Sequence, residues 1–125
     1  MKEANESLTE AVIGCAIEVH RALGPGLLES AYERCLAHEL GLQGIAYKSQ
    51  VPVPIKYKGI SLECGFRLDV LVDDCLIIEL KAVDKLTKVY EAQMLTYLKL
   101  TGISTGLLLN FNVSRLVDGL KRYKR

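Results

Sequence analysis

No stretch of this chain is apolar for long enough to cross a bilayer. Met1-Lys2-Glu3-Ala4-Asn5-Glu6 does not have the layout of a secretory leader, so a cytoplasmic protein without membrane partners is expected. Paired cysteines are missing as well. Cys15, Cys35, Cys64 and Cys75 are scattered with no Cys-x-x-Cys spacing, which argues against zinc or iron–sulfur chemistry and for reduced, partly buried thiols. Nor is there an excess of one charge: 16 Lys and Arg stand against 15 Asp and Glu, a formal net charge of +1. Any nucleic-acid partner must therefore be argued from a local patch, not from overall attraction. The one dense basic run, Lys121-Arg122-Tyr123-Lys124-Arg125, reads as a solvated, fraying terminus. Repeats, low-complexity tracts and linkers are absent, and 125 residues suit one domain over 1–125 with a single core.

What is present is an ordinary globular composition, 50% hydrophobic and 25% charged. Ser7-Leu-Thr-Glu10 forms a capping box that predicts a first helix from Ser7, with Leu8, Val12, Ile13, Ala16, Ile17 and Leu23 at helical spacing. Gly24-Pro25-Gly26 stops it, and a second helix is expected from Leu27 to Leu40, closed by Gly41. Val51 to Tyr57 reads as a strand whose Pro52 and Pro54 put it at a sheet edge, since proline cannot donate to a ladder. Lys58-Gly59 is a turn, and Gly65 marks a bulge before Phe66. Strands Phe66–Val72 and Cys75–Lys81 flank Asp73-Asp74, a helix covers 88–101, Gly106–Asn110 is a buried strand, and a short helix runs from Ser114 to Tyr123. The strand from Cys75, the long helix and the strand to Leu109 make a right-handed βαβ unit with parallel strands.

The central hairpin carries the chemistry. Alternation places Phe66, Leu68, Val70 and Val72 on one face of their strand, and Leu76, Ile78 and Leu80 on one face of the next. The opposite face then holds Asp69 and Glu79-x-Lys81. A three-residue loop, Asp73 to Cys75, sets Asp69 opposite Glu79, although a two-residue loop slips this pairing by one. Opposed carboxylates repel, so one takes a proton or a positive charge sits between them. Lys81 offers one such charge and a hard divalent cation more, with magnesium or manganese the fitting ions. A solvated hairpin face explains the same residues, and on this stretch alone the two readings stand level.

Two helices add to the first reading. Glu29 opens the second helix near Tyr32, where a favourable dipole interaction is the simpler explanation, and Glu33 lies one turn on. On the later helix Leu86, Tyr90, Gln93, Tyr97 and Leu100 form a stripe in which Gln93 is the fully polar member. A buried amide needs a partner, and Gln93 serves equally to brace a loop or to bond a phosphate or carboxylate.

Taken together, Gly26-x-x-Glu29-x-x-Tyr32, Asp69, Glu79-x-Lys81, Gln93-x-x-x-Tyr97 and Leu109-Asn110-Phe111 closely resemble the small bacterial and archaeal GxxExxY proteins of the PD-(D/E)XK nuclease-like superfamily. The motifs occur in order over nearly the whole chain. The resemblance implies an α/β fold with a restriction-endonuclease-like core of αβββαβ order, a mixed sheet flanked by helices, with an extra N-terminal helix and a short C-terminal helix. It further implies Asp69 and Glu79 as ligands of Mg2+ or Mn2+, Lys81 as the catalytic lysine and Glu29 as an additional acid. Gln93, Tyr97 and Tyr32 would support the site or touch substrate. Leu68 stands where the superfamily motif names proline, and the core lacks the extra domain that usually grips DNA.

The leading expectation is a metal-dependent nuclease that hydrolyses DNA or RNA. The alternative is a non-catalytic nucleic-acid-binding or regulatory protein that keeps the fold, a homodimer being one form of it. A structural role with a merely solvated hairpin is the third.

Overall fold

A computed structural model describes residues 2–125. Helix α1 (Glu6–Leu23) starts one residue before the expected position, because Asn5 is the cap. Its side chain accepts the Leu8 N–H at 2.7 Å, leaving Ser7 inside the first turn. Helix α2 (Glu29–Leu42), by contrast, starts two residues later than expected and runs through Gly41 to a cap at Gln43. The expected stop at Gly41 fails because Leu36 and Leu40 are buried, and tertiary packing outweighs the intrinsic cost of glycine.

Five strands follow: β1 (Tyr47–Tyr57), β2 (Ile60–Val72), β3 (Leu76–Lys81), β4 (Thr105–Asn110) and β5 (Leu120–Lys124). They form one sheet in the order β1-β2-β3-β4-β5, with α3 (Lys88–Thr101) crossing over between the parallel strands β3 and β4. The proline-bearing β1 lies at the edge as expected. The register of β1 against β2 shifts between Val53 and Ile55, beside Gly65. An added Cβ on Gly65 would collide with the Ile55 side chain, so only glycine lets the two strands close at the bulge.

The end of the chain corrects the sequence reading. Where a helix was expected over 114–123, a 3-10 turn at Leu116–Gly119 leads into β5, which pairs antiparallel with β4. Local propensity is overruled by the open edge of β4, whose backbone groups need partners. The basic run is thus largely strand, and Arg122 pairs with Glu6 of α1.

Both faces of the central strands are covered, while the far end of the β1–β2 hairpin stays exposed. Helices α1 and α2 pack with Val70, Val72, Leu76, Ile78, Leu80, Leu107, Leu109 and Phe111 on one side. On the other, α3 packs Met94 and Leu98 against Leu68, Leu71, Ile77 and Leu108. The α3 stripe also differs from expectation: Met94 and Leu98 are its buried residues, while Leu100 is exposed. Gly106 allows the helix to come this close, because a Cβ there would strike the Met94 sulfur.

A second correction concerns β2. Val70 and Val72 face α1 and α2, but Leu68 and Phe66 belong to the α3 side, so simple alternation breaks at Asp69. The partner strand breaks at the same level. The register runs Ser49 to Val70 and Val51 to Leu68, and the intervening pair, Gln50 with Asp69, is missing from the ladder. Gln50 adopts a left-handed backbone there, with φ 52°. Among the described residues, no helix is long and apolar enough to cross a membrane.

Candidate functional site

Strands β2 and β3 pair only from Val70–Val72 to Leu76–Ile78. This is the register expected from a three-residue loop, and it carries Asp69 opposite Glu79. From there the two carboxylates replace the ladder bonds. The Asp69 N–H donates to Glu79 Oε2 at 2.8 Å, and the Leu80 N–H donates to Asp69 Oδ2 at 2.9 Å. Each acid is therefore pinned by the other's strand where the strands part, with its second oxygen left for another partner.

Lys81 closes β3 opposite Asn110 of β4. Its position is fixed from behind. The Asn110 amide donates to the Val83 carbonyl at 2.9 Å and its oxygen accepts the Val83 N–H at 3.1 Å, while the Phe111 N–H donates to the Lys81 carbonyl at 2.8 Å. The Lys81 ammonium sits 5.0 Å from the centroid of the Tyr90 ring, a cation–π contact that holds it at the mouth of the pair. Among the described residues, no basic nitrogen forms a salt bridge with Asp69 or Glu79.

The electrostatics follow from burial that the nearby Lys81 ammonium only partly offsets. Glu79 is 4% exposed. Burial, reinforced by the Asp69 charge, pushes its carboxyl up to about 8. Burial also raises Asp69, opposed by the Leu80 N–H and the Lys81 ammonium, with the Glu29 charge adding to the rise. Glu33 is raised by burial, then by Asp69 and Glu29, against the Gln50 amide.

Helix α2 brings in the remaining acids. Glu29 is exposed in its first turn, and its charge is felt at Asp69 and Glu33. Tyr32 is fully buried. Its hydroxyl donates to the Gly24 carbonyl at 2.6 Å and accepts the Leu27 N–H at 3.1 Å, and its ring stacks on Phe111 at 4.5 Å. It thus anchors the turn that delivers Glu29. On α3 the Tyr97 ring stacks on Phe66 at 4.2 Å. Its hydroxyl is raised by burial and then by Glu79 and Asp69, which places it near the acids. Gln93 lies one turn before it, half-buried.

Glu33 and Gln50 were not singled out as site residues from sequence. Glu33 was visible as an acid one turn beyond Glu29, but its link to Gln50 spans 17 positions and leaves no local pattern. Among the described residues, no three Asp, Glu, His or Cys side chains already form a ligand cluster. The donor set still suits a hard divalent cation: two pinned carboxyl groups, further acids beside them, and a buried Glu79 whose ionised form a cation would stabilise.

A sequence profile described as the PD-(D/E)XK nuclease superfamily matches residues 6–123. No curated protein and no solved structure matches the chain. The three helices and five-stranded mixed sheet form an α/β, restriction-endonuclease-like fold.

Proposed function

The chain belongs to the PD-(D/E)XK nuclease superfamily, and from that premise we propose that it is a magnesium- or manganese-dependent nuclease of the GxxExxY type, acting on DNA or RNA as one domain over 1–125. Asp69 and Glu79 hold the ion, and Glu29 is the further acid from α2. When bound, the ion neutralises charge at the phosphoryl group and acidifies a water.

The chain's own groups do the rest. Lys81, held over Tyr90, is the group that would orient the attacking water and steady phosphate charge. Tyr97 and Gln93 brace the open side of the acid pair, and Tyr32 fixes the turn that carries Glu29.

One observation carries this reading: the reciprocal bonds that pin Asp69 and Glu79 side by side where β2 and β3 separate. A solvated hairpin face has no need to bury Glu79 against a half-buried Asp69 with no base in salt-bridge contact. The test is cleavage of single- and double-stranded DNA and RNA with added magnesium or manganese. Asp69→Ala and Lys81→Ala are each expected to abolish cleavage while the circular dichroism spectrum stays native. Full activity in either variant rejects the assignment.

A further inference from the structure

Non-glycine residues with a left-handed backbone occur at Gln50, Lys58, Asp73 and Asp74 among the described residues. Lys58 lies in the β1–β2 turn and Asp73 and Asp74 in the β2–β3 turn, where such a backbone is ordinary. Gln50 alone lies within a strand. Glutamine is a poor choice there, since glycine or asparagine adopts this conformation at less cost.

Its side chain supplies the reason. Gln50 Nε2 donates to both carboxylate oxygens of Glu33, at 2.8 and 3.0 Å. The register carries the same residue opposite Asp69, at the level where both strands lose their ladder bond. The kink thus joins β1 to α2 across the front of the acid pair. Local strain of this kind persists only when its surroundings impose it, and it collects at working sites.

We propose that Gln50 is a positioning residue: by holding the Glu33 carboxylate beside Asp69, it fixes an acidic wall of the site and raises its affinity for a divalent cation. The inference rests on the metal-dependent reading above. It adds Glu33 as a site acid and gives β1 a part beyond closing the sheet.

Gln50→Gly and Gln50→Asn separate positioning from folding. Both residues suit the left-handed backbone better than glutamine, and neither reaches Glu33. In EDTA each variant is expected to melt at or above the wild-type temperature. In calorimetric manganese titrations each should bind about tenfold more weakly, the range seen when a partner of a ligand shell is lost. Asp69→Ala is the control for loss of the site. Manganese affinity equal to wild type in both Gln50 variants, with Asp69→Ala clearly impaired, overturns this inference alone. Lowered melting temperatures in EDTA for both variants also overturn it, marking Gln50 as a residue of the fold. A wild type that binds no manganese sinks the metal-dependent reading and this inference with it.

Discussion

Glu79→Gln isolates the energetic cost of the acid pair. Glu79 is held at about 8 in the folded protein against 4.5 for an ordinary glutamate. Between these values the folded protein keeps a proton that the unfolded chain has released, so stability falls as pH rises through that window. Below it both states are protonated and nothing is lost. By pH 8 the accumulated loss, at about 1.4 kcal/mol per pH unit, is on the order of 4 kcal/mol. That is a large share of the roughly 5–15 kcal/mol that holds a domain together. Glutamine has nearly the same shape and stays neutral, and its oxygen can still accept the Asp69 N–H that Glu79 Oε2 now takes. In EDTA, Glu79→Gln and wild type should therefore melt together near pH 4.5 and diverge above it, the variant leading by on the order of 10 °C at pH 8.5. Saturating magnesium at pH 8.5 should raise the wild type and leave the variant unmoved. Thermal unfolding followed by circular dichroism reads both effects. A wild type whose stability is flat across the window, or a variant that melts below it at pH 8.5, refutes the account of an uncompensated buried acid.

Other predictions probe the frame around the pair. Gly106→Ala forces a methyl group into the Met94 sulfur, and urea titration should show a loss of about 1–3 kcal/mol. Tyr32→Phe removes the hydroxyl that bridges the Gly24 carbonyl and the Leu27 N–H. It should cost about 1 kcal/mol in the same assay, the net worth of such hydrogen bonds on a turn that water can reach. Of the four thiols, Cys35 and Cys64 are exposed while Cys15 and Cys75 are buried, with burial raising both of the latter. A chromogenic disulfide reagent should titrate two thiols rapidly in the native protein and all four in denaturant.

Much of the architecture is legible in the sequence where the signals are local. Pro52 and Pro54 mark an edge, Gly65 a bulge, Asp73-Asp74 a turn, and the Cys75–Leu109 stretch a parallel crossover. Three things escape because they depend on distant partners. Strand β5 exists through pairing with β4, and nothing in Leu120–Lys124 alone demands it. The change of face at Asp69 depends on Gln50 across the ladder, so period-two alternation misplaces Leu68 and Phe66. Glu33 is tied to β1 through the amide of Gln50, 17 positions away. At the site, the Asp69–Glu79 pairing was readable once the loop length was chosen, whereas its burial without a basic partner was not.

The two margins of the sheet bear on how these molecules meet one another. The most buried strands, Leu76–Lys81 and Thr105–Asn110, lie inside the sheet with a strand on each side. One outer margin carries Pro52 and Pro54, which have no N–H to give, and the other carries Lys121 and Lys124, whose charges resist stacking. Strand addition is disfavoured at both of these margins, which leaves the side of β2 over 60–68, where β3 does not reach, as the open backbone of the sheet.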